Sequence, residues 1–113
     1  MTIDPETLGV AQQLKAAFQA RFGSRLAGLY LFGSRARQDH RPDSDLDIAV
    51  LLHDAPSLLR TADRELLDVT YPIELARGLH IQAWALPANA LSVRGTQPRR
   101  RLAETLRREG VAL

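Results

Sequence analysis

The stretch that decides the fold runs from residue 32 to residue 51. Phe32-Gly33-Ser34-Arg35-Ala36-Arg37 is followed by a polar segment and then Ser44-Asp45-Leu46-Asp47-Ile48-Ala49-Val50-Leu51. Leu26–Phe32 is a short apolar run with the look of a buried strand, and Gly33 ends it. Glycine allows a sharp turn and a close ligand approach. Ser34 then supplies a hydroxyl and an N–H where a short helix to about Gln38 can begin, with serine as its N-cap. The free N–H groups at such a helix start form a ready anion site. Arg35 and Arg37 add charge suited to phosphate oxygens.

The second half has different physics. A strand over Asp45–Leu52 turns Leu46, Ile48 and Val50 to one face and both aspartates to the other. Two neighbouring carboxylates repel unless a cation lies between them. Mg²⁺ suits one or two carboxylates plus substrate phosphate oxygens. Gly-Ser and Asp-x-Asp at this spacing arise by chance on the order of once in a thousand chains of this length. Together they describe a metal-dependent site for a nucleoside triphosphate. Gly33-Ser34 taken alone is an ordinary capped turn.

These residues resemble the minimal nucleotidyltransferases of the DNA polymerase beta superfamily. The resemblance is sharpest over residues 29–52 and extends across essentially the whole chain. It implies that Gly33 and Ser34 hold the triphosphate of ATP, with Arg35 beside them, and that Asp45 and Asp47 bind Mg²⁺ and orient the attacking hydroxyl. It also implies a partner. Members of this family are commonly the antitoxin of a helical HEPN ribonuclease toxin, and some transfer AMP to a tyrosine of that toxin. The implied fold is α/β, a small mixed sheet with helices packed on one face and the nucleotide site on the other. A hetero-oligomer with the toxin follows from the same likeness.

One position departs from the family pattern. Active members carry a third aspartate on a later strand. The matching strand here is Leu79–Leu86, and it places Gln82 at that point. Glutamine offers a carbonyl oxygen but takes up no proton. Glu74, Asp68 and His80 are the candidates to replace the missing base. A catalytically degenerate module of the same fold, neutralising a toxin by binding alone, therefore stands as the alternative reading.

The bulk properties bound the rest. The chain of 113 residues is expected to form one domain, residues 1–113. It has no cysteine, hence no disulfide or thiolate metal site. No apolar run reaches membrane-spanning length, and the polar start is unlike a signal peptide, so a cytoplasmic location is expected. Arg94, Arg99, Arg100, Arg101, Arg107 and Arg108 crowd the last fifth against Glu104 and Glu109 alone. A basic segment of this kind suits nucleic acid or an acidic protein surface. Few aromatic residues interleave with it, which argues against a stacking platform for single strands.

Around the core motif, Asp4-Pro5 starts a helix that Gly23 ends. A second helix follows Asp54-Ala55-Pro56-Ser57, with Leu58, Leu59, Ala62, Leu66 and Leu67 as its core face and a break or kink at Tyr71-Pro72. Pro87 can start a short helix to Leu91, and a last helix is expected from about Pro98 to Glu109, capped by Thr96 and closed by Gly110.

Overall fold

The computed structural model describes residues 3–92 and 99–113. Four strands form one mixed sheet in the order β3-β2-β1-β4. β1 (Leu26–Phe32) runs antiparallel to β2 (Leu46–Leu52), and β2 runs parallel to β3 (Ile81–Pro87). The two-residue β4 (Val111–Ala112) adds to the free side of β1. The helices are α1 (Pro5–Phe22), α2 (Ser34–Arg37), α3 (Leu59–Arg77) and α4 (Arg100–Glu109).

Strand alternation sorts the side chains into two layers. Leu29 and Leu31 of β1, Leu46, Ile48, Val50 and Leu52 of β2, and Ile81 and Ala85 of β3 face one way. There they pack with Val10, Leu14 and Phe18 of α1 and Leu59, Ala62, Leu66 and Ile73 of α3. Phe32, Ala49, Leu51 and Leu86 face the other way, against Ala103 and Leu106 of α4. The expected mixed sheet is present, with its two long helices sharing one face. α4 covers part of the second face and leaves the rest of it open around Asp47.

The helix ends follow from local chemistry. Asp4 caps α1 by accepting a hydrogen bond from the Thr7 N–H at 3.0 Å, and Pro5 stands at the first turn. Gly23 closes α1 at φ 55°. Gly110 closes α4, its N–H reaching the Leu106 carbonyl at 2.8 Å.

Several expectations change. α3 is continuous through Pro72. Proline leaves one carbonyl, that of Asp68, without its helical donor. Asp68 and Pro72 are both exposed, so water can serve that carbonyl and the turn survives. Leu58 and Leu67 are exposed, not core. Leu67 sits one position beyond buried Leu66, about 100° around the helix and off the packed stripe. Residues 88–92 form turns in place of a short helix, with Ala90 N–H donating to the Pro87 carbonyl and Ser92 N–H to the Asn89 carbonyl, both at 3.0 Å. The expected Thr96 cap and Pro98 helix start lie outside the described residues.

Candidate nucleotidyl-transfer site

Register fixes the site. Phe32 on β1 pairs with Asp47 on β2, and Asp47 pairs with Gln82 on β3. Asp47 therefore lies between the turn that leaves β1 and the strand that carries Gln82. The side chains of Asp45 and Asp47 are both half-buried. Gln82 ties the first of them in place, its Nε2 donating to Asp45 Oδ2 at 3.2 Å.

Gly33 is required twice over. Its φ of 76° is in the left-handed region, and a Cβ there would collide with the Asp47 carboxylate. The Gly33 carbonyl also begins α2, accepting from the N–H groups of Ala36 and Arg37, each at 3.1 Å. Gly33, not Ser34, is thus the cap of α2, and the Ser34 hydroxyl makes no capping bond. The first N–H groups of the turn have no helical acceptor, and the turn packs against the Asp47 carboxylate at Gly33.

The two arginines of this turn have different roles. Arg35, expected at the phosphates, is 1% exposed. Its guanidinium donates to the carbonyls of Ser44 and Pro42, both at 3.1 Å, and to Thr7 Oγ1 at 2.9 Å. It clamps the loop that delivers Asp45 onto the start of α1, and its burial keeps it from a ligand in solvent. Arg37 is the exposed one. It donates to Glu109 at 2.7 Å and to Asp39 at 3.1 Å, and its charge acts on Asp47.

The electrostatics single out Asp47. Burial, and then the neighbouring Asp45, push its carboxyl up to about 6, against the opposing pull of Arg37. A group raised in this way by a second carboxylate is one that a cation relieves. Two carboxylates, an amide oxygen from Gln82 after rotation and an open side for phosphate oxygens suit Mg²⁺. The donor set fits that ion through Asp45 and Asp47.

Two of the three candidates for a replacement base are committed elsewhere, whereas the exposed His80 acts on Asp47 through its charge. Glu74 accepts from the Ile81 N–H at 2.8 Å and faces His80 Nδ1 at 3.2 Å. Asp68 pairs with Arg21 at 3.5 Å. Among the described residues, no three of His, Cys, Asp or Glu converge as a metal cluster. Beside Asp47 opens a cavity of about 340 Å³ lined by Phe32, Asp47, Gln82, Trp84, Arg99 and Leu102. Sequence reasoning did not foresee the last two. Arg99 belongs to the arginine-rich segment expected to meet nucleic acid or an acidic surface, and only the fold brings it against Trp84.

The family model described as Polymerase beta, Nucleotidyltransferase matches residues 12–92, more than half of the chain. The chain belongs to the polymerase beta nucleotidyltransferase family. The matched span contains the candidate residues Gly33, Ser34, Asp45, Asp47 and Gln82. Solved structures share this nucleotidyltransferase fold. A minimal nucleotidyltransferase is 25% identical, with a TM-score of 0.53 over 95% of each chain. A toxin–antitoxin crystal structure with AMP-PNP is 23% identical, with a TM-score of 0.63 over 89% of this chain and 69% of that one. A mutant of the toxin–antitoxin pair MntA–HpeT is 24% identical, with a TM-score of 0.60 over the same shares. No curated protein matches the chain significantly. No helix among the described residues is long and apolar enough to cross a membrane.

Proposed function

We propose that this nucleotidyltransferase transfers AMP from ATP to a tyrosine hydroxyl of a HEPN-type toxin, and so acts as an antitoxin. The observation that carries the reading is the packing of Gly33 against Asp47, which brings an anion-binding turn and a carboxylate pair into one site. Asp45 and Asp47 hold Mg²⁺, which when bound neutralises charge on the transferring phosphate. Gly33 and Ser34 hold the β- and γ-phosphates, with Arg37 replacing Arg35 as the nearby positive charge. Arg35 and Gln82 keep Asp45 in position. Catalysis then comes mainly from positioning and charge stabilisation. The likeness to toxin–antitoxin structures supports a protein partner, and one of those was solved with a nucleotide analogue.

Gln82 favours a second reading, in which the same fold neutralises a toxin by occlusion. It stands at the family's third-carboxylate position and is hydrogen-bonded to Asp45. Toxin neutralisation by an Asp45→Asn/Asp47→Asn double variant separates the two. Transfer predicts that neutralisation is lost while the complex still forms. Retained neutralisation would establish occlusion.

A further inference from the structure

We propose that the outer ridge of α3, formed by Leu67, Tyr71 and Leu75, is the docking surface for the partner protein, and that it takes an amphipathic helix whose apolar face is edged with lysine or arginine. The inference rests on the antitoxin reading above for the identity of that partner. α3 already has a core face, in which Leu59, Ala62, Leu66, Thr70 and Ile73 are buried. Leu67, Tyr71 and Leu75 stand outside that face and are 61%, 59% and 67% exposed. Residues four apart on a helix are neighbours, so the three form one ridge about 12 Å long. A single exposed leucine is ordinary. A contiguous apolar ridge on a helix that is already anchored by its other face marks a contact surface. A groove of about 370 Å³ runs along it, lined by Leu67, Asp68, Tyr71, Pro72 and Glu74. Apolar anchors at this spacing are how one helix receives another.

The charges beside the ridge choose the occupant. Asp68 and Glu74 line the groove, and no cationic side chain does. Arg21 reaches Asp68 at 3.5 Å but is shared with Glu65 at the same distance, and His80 Nδ1 lies 3.2 Å from Glu74. Arg64, exposed one turn before Leu67, ends the acidic stretch. A second copy of this chain fits badly. Two-fold antiparallel pairing of the ridge sets Leu67 of one copy on Leu75 of the other, and Tyr71 on Tyr71. The same register sets Asp68 of each copy against Glu74 of the other, because both pairs are centred on residue 71. A parallel pairing faces each carboxylate with its own copy. Like charges placed in this way oppose self-association and favour cationic flanks on a different chain.

The ridge also lies within reach of the site. Asp63, four residues before Leu67, accepts from the Ala85 N–H at 3.0 Å, and Glu74, three after Tyr71, accepts from the Ile81 N–H at 2.8 Å. The ridge therefore runs beside the outer edge of β3, the terminal strand of the sheet. Gln82 on that strand pairs with Asp47 of β2. A partner seated on α3 has one strand edge to pass to reach the carboxylates.

The probe is the co-expressed HEPN partner, its affinity for this protein measured by calorimetry. Leu67→Asp and Leu75→Asp should each weaken the complex at least about 100-fold, with the circular dichroism spectrum and melting temperature unchanged because both side chains are exposed. Leu75→Ser repeats the test without adding charge and should act in the same direction. Leu8→Asp, at an exposed leucine on α1, should leave the affinity as it is. Wild-type protein alone should sediment as a monomer. Asp68→Lys should weaken the complex about tenfold and, with the repulsion between copies removed, shift the free chain toward a dimer. Affinity unmoved by the ridge variants would overturn the inference. So would a wild-type dimer that Leu67→Asp dissociates, or the absence of any complex with wild type. Intact mass of the partner from the same samples, after ATP and Mg²⁺, keeps the two readings apart. Ridge variants that bind normally while wild type adds AMP would sink the docking surface alone. Ridge variants that lose binding while wild type adds no AMP would sink the transfer reading alone.

Discussion

Gly33 and Asp47 carry most of the site at the residue scale. Gly33→Ala adds a methyl group where the Asp47 carboxylate already sits, at a φ that alanine adopts with strain. The variant should fold, lose about 1–3 kcal/mol of stability, and lose at least about 100-fold in transfer rate, a misplacement effect of the size expected near reacting groups. Chemical denaturation with a parallel transfer assay measures both. Asp47 makes a prediction of opposite sign. Its carboxyl is raised from 3.8 to about 6, so the folded protein holds that proton more tightly than the unfolded chain. The associated stability is present in full below about pH 4 and is lost as pH rises through 6. Asp47→Asn should therefore stabilise the metal-free protein at pH 7.5, by about 1–2 kcal/mol after allowing for its partial exposure. The variant should lack the decline between pH 4 and 6, and Mg²⁺ should raise the melting temperature of wild type alone. Asp54 and Glu65, held low by their bonds to Arg25, act in a separate window at lower pH, where acid removes their contribution. The Gly-Ser turn and the aspartate pair were legible in the sequence because their meaning is local. The roles of the two arginines were not. Residues two apart on a helix point about 200° apart, so one faces in when the other faces out, and sequence does not say which.

At the scale of elements, the strands and α1 were readable from alternation and caps, whereas α3 and β4 were not. Pro72 reads as a break, yet nineteen residues of α3 run through it because its missing hydrogen bond falls on the solvent side. That bond remains recoverable. Pro72→Ala should stabilise the protein, by about 1–3 kcal/mol given the interior cost of proline, and thermal unfolding would show the rise. An unchanged or lowered melting temperature would mean that Pro72 instead limits the unfolded chain. β4 is two residues long, too short for any pattern, and forms only because α4 returns the chain beside β1. Arginines of that region are tied into the fold itself. Arg99 pairs with Asp63, and Arg107 donates to the carbonyls of Leu91 and Ala90 at 3.1 and 2.9 Å, so several of these charges hold α4 in place. This weakens the case for a nucleic-acid surface on that helix.

On the scale of the whole molecule, the order β3-β2-β1-β4 gives the site two sides. The Gly33 turn follows β1, the aspartate pair lies at β2, and the cavity beside Asp47 extends from Phe32 of β1 to Gln82 and Trp84 of β3, with α1 and α3 buttressing the opposite face. The cavity could not be read along the chain, since it arises from contacts between elements far apart in sequence. The most direct measurement is intact-mass spectrometry of the co-expressed HEPN partner after incubation with this protein, ATP and Mg²⁺. The account predicts mass gained in AMP-sized steps and no gain with the Asp45→Asn/Asp47→Asn variant. An unmodified partner held in a stable complex would contradict it.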